Sequence, residues 1–135
     1  MKVSKVILAS VLGLSLSGGA LLAELGDASK LPAAATKKVS FSKDIKPILE
    51  DKCIDCHGPD KQKSKYRVDV RDEAIKGGSS DEVAIIVGNS AKSPFVHYVA
   101  RLVEDLEMPP KEKYSLTKDE IALIRAWVDQ GVKFE

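Results

Sequence analysis

Five consecutive residues, Cys53-Ile54-Asp55-Cys56-His57, carry the densest chemistry in the chain. The CxxCH spacing is the attachment signature of a c-type haem. Two thiols three positions apart can each add to one vinyl group of the same porphyrin. The histidine directly after them is then carried under the iron as an axial ligand. Three other chemistries compete for these residues. A redox disulfide of the thioredoxin kind expects a βαβ setting, whereas the apolar spacing around this pair is helical. Zinc needs four ligands, and only His97 and carboxylates remain to complete the set. Two ordinary buried thiols beside an unrelated histidine are the plain alternative.

A haem iron held by His57 on one side needs a partner on the other. The chain has two methionines, Met1 and Met108, and two histidines, His57 and His97. Met1 belongs to the leader described below, which leaves Met108 and His97. His97 falls on the polar side of its predicted helix, opposite Phe95 and Val99, and is expected as a solvated surface histidine. Met108 sits in Glu107-Met108-Pro109-Pro110, between two predicted helices, where two prolines stiffen the chain just after it. A loop methionine that merely packs on the core is the competing role. The His/Met pairing of cytochromes c favours ligation, and a thioether favours reduced iron and raises the potential. Iron with six ligands has no open position, so one-electron transfer is favoured over small-molecule chemistry.

The elements that position these residues follow a leader. Residues 1–23 have the grammar of a cleaved secretory signal: Lys2 and Lys5, an apolar run from Val6 to Leu16, then small residues, with cleavage after Ala20 or Ala23. The run is too short to span a bilayer. Cleavage after Ala23 removes two lysines and no acid, which turns the formal charge of +1 into −1. A near-neutral chain is not a nucleic-acid binder, which would show a basic excess. Export places the protein in the periplasm, where thioether attachment takes place. Two cysteines exclude a disulfide-stapled scaffold.

Residues 24–39 have no apolar period and read as a flexible N-terminal linker. The domain proper spans 40–135. Phe41, Ile45, Ile48, Leu49 and Cys53 recur at helical spacing, and Pro47 predicts that the regular helix starts after Ser42. Residues 58–65 read as loop. Tyr66 to Val70 is a short extended piece, and Asp72 to Ile75 one helical turn ended by Gly77 and Gly78. Residues 81–87 fit a short helix or a strand. Ser93 as N-cap and Pro94 at the first position open a helix carrying Phe95, Val99, Leu102 and Leu106 on one face and His97, Arg101 and Glu104 on the other. The last helix has a capping box in Thr117 and Glu120, a hydrophobic staple in Leu116 and Ile121, and Gly131 at its end. The expected class is all-α.

From Ser40 to Val132 the chain resembles the planctomycete-type cytochrome c domain, a compact relative of the class I cytochromes c. The resemblance is carried by Phe41 through Leu49, by Cys53-Ile54-Asp55-Cys56-His57-Gly58-Pro59-Asp60, by Ala74 through Gly78, by Met108-Pro109-Pro110, and by Leu116 through Gly131 with Trp127. It implies a cytochrome c-like fold with the first and last helices packed around a covalently bound haem. It also implies one haem c per chain, thioether-linked through Cys53 and Cys56, with His57 proximal and Met108 distal. Arg67 and Asp69 match an Arg-x-Asp element, which offers Arg67 to a haem propionate, with a surface ion pair as its competing role.

The function expected is a monomeric periplasmic electron carrier with redox proteins as partners, no enzymatic constellation of its own, and membrane contact only by docking to membrane-bound redox complexes. Lys61, Lys63, Lys65, Lys111 and Lys113 lie near the motif and Met108, where they either steer acidic partners or simply solvate loops. Two other functions fit the same motif. One is a haem-based gas-binding or sensor module in which Met108 lets go. The other is an electron-entry subunit of a larger oxidoreductase.

Overall fold

The computed structural model describes residues 25–135. The predicted signal, residues 1–23, lies outside them. Five α-helices carry the architecture: α1 Lys46–Lys52, α2 Ile54–His57, α3 Arg71–Lys76, α4 Pro94–Val99 and α5 Lys118–Asp129. Among the described residues no strand forms; one antiparallel bridge joins His57 and Gln62. None of the described helices is long and apolar enough to cross a membrane.

Pro47 shapes the entry to the site. It lies in the first turn of α1, where its missing N–H is no loss. The chain before it, Phe41–Ile45, winds as one wider turn closed by the Lys46 N–H on the Phe41 carbonyl. That turn swings Phe41 onto the last helix. Its ring stacks on Phe134 at 4.2 Å and leans on Trp127 at 6.1 Å. α1 then buries Ile48 and Leu49, and its hydrogen-bond ladder runs on into Cys53, whose N–H reaches the Leu49 carbonyl at 2.9 Å.

α5 follows its sequence closely. The Thr117 hydroxyl accepts from the Glu120 N–H, and the Glu120 carboxylate accepts from the Thr117 N–H, so both halves of the capping box form. Ile121, Ile124, Trp127 and Val128 turn inward. Each fully buried side chain of this size contributes about 1.5–3 kcal/mol. At the far end Gly131 has a φ of +105°, with the Gly131 N–H on the Val128 carbonyl and the Val132 N–H on the Trp127 carbonyl. This pair of bonds is a Schellman motif, and glycine takes the left-handed position without strain.

Three expectations need correcting. Residues 25–39 are not a linker hanging off the domain. Leu31 and Val39 are buried in the core, the Ala35 N–H donates to the Ala122 carbonyl, and Gln130 bridges the Val39 N–H and the Lys37 carbonyl. The buried apolar residues of the segment, Leu31 and Val39, enter the core singly, which is why no period announced them. Helix α4 is shorter than its apolar spacing predicts. It ends at Val99 because Arg101 adopts a left-handed φ of +57°, so Leu102 and Leu106 belong to the loop beyond. Residues 81–87 form neither helix nor strand. They run as a loop pinned at Ala84, whose N–H donates to Ile75 and whose carbonyl accepts from Phe95.

Candidate functional site

α1 delivers Cys53 to the rim of a cavity, and α2 presents the rest of the motif. The His57 N–H returns to the Cys53 carbonyl at 2.9 Å, so the two thiols sit on one helical turn, where positions i and i+3 share a face. Burial, more than any nearby charge, pushes the Cys53 thiol up to about 12. A thiol so disfavoured as thiolate is the opposite of a reactive redox cysteine, and no strand stands nearby to make the βαβ setting of a thioredoxin motif. Zinc is no better served: among the described residues no group of three or more His, Cys, Asp or Glu side chains is arranged to hold an ion.

His57 is half-buried and fixed from behind. Its Nδ1 lies 3.1 Å from the Lys63 carbonyl. A carbonyl only accepts, so Nδ1 carries the proton and Nε2 keeps its lone pair. Desolvation lowers the imidazole's pKa and so favours the neutral ring, an effect partly offset by the backbone at Lys63 and Tyr66. Tyr66 packs edge-on against it with ring centroids 5.3 Å apart, and its own hydroxyl is held by the Ala74 carbonyl at 2.9 Å. The loop that supplies the Lys63 carbonyl turns through a left-handed Ser64. Gly78 lets that loop close, since a Cβ there would lie 2.3 Å from the Ser64 carbonyl oxygen.

A second wall comes from α4 and the loop after it. Phe95, Tyr98 and Val99 face the cavity together with Leu106, Met108, Pro109 and Pro110. The Met108 N–H donates to the Tyr98 carbonyl at 3.0 Å, and Arg101 Nη1 donates to the Pro109 carbonyl at 2.7 Å. The cavity between the two walls has a volume of about 450 Å³ and a predominantly apolar lining. Cys53, Cys56, His57 and Met108 all line it. Two thiols on one turn, an imidazole with a free nitrogen and a thioether in the same apolar cleft: this donor set fits a flat, apolar macrocycle that carries a metal ion.

Residues 53–112 match the family described as Planctomycete cytochrome C. Over these residues the chain is similar to a planctomycete-type cytochrome c domain. The match runs from the first thiol to just beyond Met108. This likeness points to haem binding and electron transfer. No curated protein and no solved structure gives a significant match to the chain.

Other candidate residues of the cytochrome c domain fall differently. Arg67 is not in the lining. Its guanidinium grips Asp69 with two hydrogen bonds, the Nε contact at 2.9 Å, which is the ion pair expected as its competing role. His97 is not a surface histidine. It is fully buried, and its Nε2 donates to the Ala91 carbonyl at 2.7 Å. The loop of residues 84–93 folds over the polar side of α4, and the ring satisfies a backbone carbonyl there instead of meeting water. Of the loop lysines, Lys63 lines the cavity, and Lys52 joins it. Tyr66, Gly78, Glu82 and Tyr98 line it without having been singled out from sequence. They come from loops and from a helix face whose spacing carries no chemical signature.

Proposed function

We propose that the chain is a monohaem c-type cytochrome that transfers single electrons between redox proteins in the periplasm. Cys53 and Cys56 would hold the haem by thioether bonds, His57 would ligate through Nε2, and Met108 through its sulfur. The observation that carries this reading is one apolar cavity lined by both the CxxCH turn and Met108. Bound there, the haem supplies reversible one-electron iron chemistry. The protein's part is to fix the proximal ring through the Lys63 carbonyl, to exclude water with Phe95, Val99 and Leu106, and to present a neutral thioether that favours reduced iron. The leader at residues 1–23 supports export to the periplasm, and the single CxxCH motif supports a monohaem carrier.

Optical spectra of oxidised and reduced protein, expressed in a periplasm competent for haem attachment, test this. The expected result is a covalent haem c with a methionine–iron charge-transfer band when oxidised. Met108→Ala should abolish that band and lower the reduction potential. A variant with wild-type spectrum and potential would overturn the distal assignment. Carbon monoxide binding to the reduced wild-type protein at neutral pH would favour a gas-binding module instead.

A further inference from the structure

The peptide that carries Met108 has an unusual anchoring problem. Pro109 and Pro110 follow it directly and have no N–H to donate. Carbonyls are the only backbone handles left there, and they need donors from elsewhere. The structure supplies one. Arg101 Nη1 reaches the Pro109 carbonyl at 2.7 Å, while the Met108 N–H reaches Tyr98 at 3.0 Å. Both anchors sit at the C-terminal end of α4.

Arg101 reaches that carbonyl from a backbone position that suits glycine. Its N–H bonds to the Tyr98 carbonyl at 3.1 Å, and the Leu102 N–H bonds to the His97 carbonyl at 3.0 Å. These are the bonds of a Schellman motif, with Arg101 in the left-handed position at a φ of +57°. A side chain there is strained. Its guanidinium makes no ion pair among the described residues. The Pro109 carbonyl is the partner it does have.

We propose that Arg101 is a positioning residue that locks the Met108 loop onto α4 and so keeps the distal position closed to outside ligands. The inference rests on Met108 being the distal ligand. The lock works through backbone: the guanidinium holds the residue after Met108, and α4 holds Met108 itself. The thioether is thereby restrained at both flanks, and displacing it requires opening the loop.

The test compares Arg101→Gly, Arg101→Lys and Met108→Ala as oxidised holoproteins, titrated with imidazole and followed optically. Glycine accepts the left-handed backbone, so Arg101→Gly should fold with a thermal midpoint no lower than wild type. It should nevertheless bind imidazole about tenfold more tightly, as expected for loss of one hydrogen bond from a charged donor. Arg101→Lys, which keeps a cationic donor, should recover part of the difference. Met108→Ala should bind imidazole most tightly and lack the charge-transfer band. If Met108→Ala behaves so while Arg101→Gly titrates like wild type, the lock is wrong and the ligation stands. If Met108→Ala keeps the wild-type band and affinity, the distal reading fails and the lock falls with it.

Discussion

Helices α4 and α5 end in the same pattern of backbone hydrogen bonds with different side chains in it. In α5 the four positions that define the end hold Trp127, Val128, Gly131 and Val132. In α4 the matching positions hold His97, Tyr98, Arg101 and Leu102. The α5 end is apolar, and its left-handed glycine is followed by a second left-handed residue, Val132, at a φ of +54°. Trp127 and Val132 are buried in the core, and Gly131 takes the left-handed turn. The α4 end spends two of the same positions on polar groups. His97 reaches back to the Ala91 carbonyl, and Arg101 reaches forward to the Pro109 carbonyl. One end closes a helix. The other closes a helix and fastens two loops to it, one of which carries Met108. A backbone motif thus fixes where a helix stops, while the side chains placed in it decide what the stop is for.

Replacing the apolar anchor should cost the most. Trp127→Ala empties the centre of the Phe41–Trp127–Phe134 cluster and should lower stability by about 3–5 kcal/mol in denaturant unfolding. The matching change in α4, His97→Leu, roughly keeps the volume but leaves the part-buried Ala91 carbonyl without its donor. It should cost about 1–3 kcal/mol. A result for His97→Leu near zero would mean that the α4 end is held by packing, as α5 is, and would erase the contrast.

The matched left-handed positions, Gly131 and Arg101, should respond differently. Gly131→Ala puts a Cβ at a φ of +105° and should cost about 1–2 kcal/mol. Arg101→Gly should leave stability within about 1 kcal/mol of wild type, because relief of strain offsets the lost hydrogen bond and the added chain entropy. Equal losses at the two sites would show that strain plays no part at Arg101.

The smallest effect lies at the start of a helix, away from both ends. A hydrogen bond from the Lys37 ammonium, then one from the Ser40 N–H, holds the Asp44 carboxyl below its ordinary 3.8. A carboxyl with a lowered folded pKa binds fewer protons folded than unfolded. Its contribution is therefore fully present above about 3.8 and lost as pH falls through the lower folded value. Asp44→Asn should flatten that acid limb in pH-dependent unfolding, while Gly131→Ala and Arg101→Gly should leave it unchanged.

What the sequence made legible follows the same division. Helix α5 could be read residue by residue, because its cap, staple, apolar face and terminal glycine all obey local rules. The CxxCH turn stood out because its spacing is rigid, and Met108 because it is the sole methionine among the described residues; the structure places both on one cavity. The α4 end could not. Leu102 and Leu106 continue the helical period, and nothing local says that Arg101 will turn left-handed to meet a carbonyl eight residues on. His97 misled for a related reason: a polar residue opposite an apolar face reads as solvated unless the loop covering it is known. The packed segment of residues 25–39 was hidden because its contacts with α5 are made mostly by backbone groups, which every sequence has.

The two prolines after Met108 also decide how motion in this wall can be watched. Neither carries an amide proton, so the Met108 amide, bonded to Tyr98, is the exchangeable reporter nearest the thioether. The Val132 amide, bonded to Trp127, reports on the end of α5. Deuterium uptake faster at Met108 than at Val132 would mean that the distal loop opens as its own small unit while the rest of the domain stays closed.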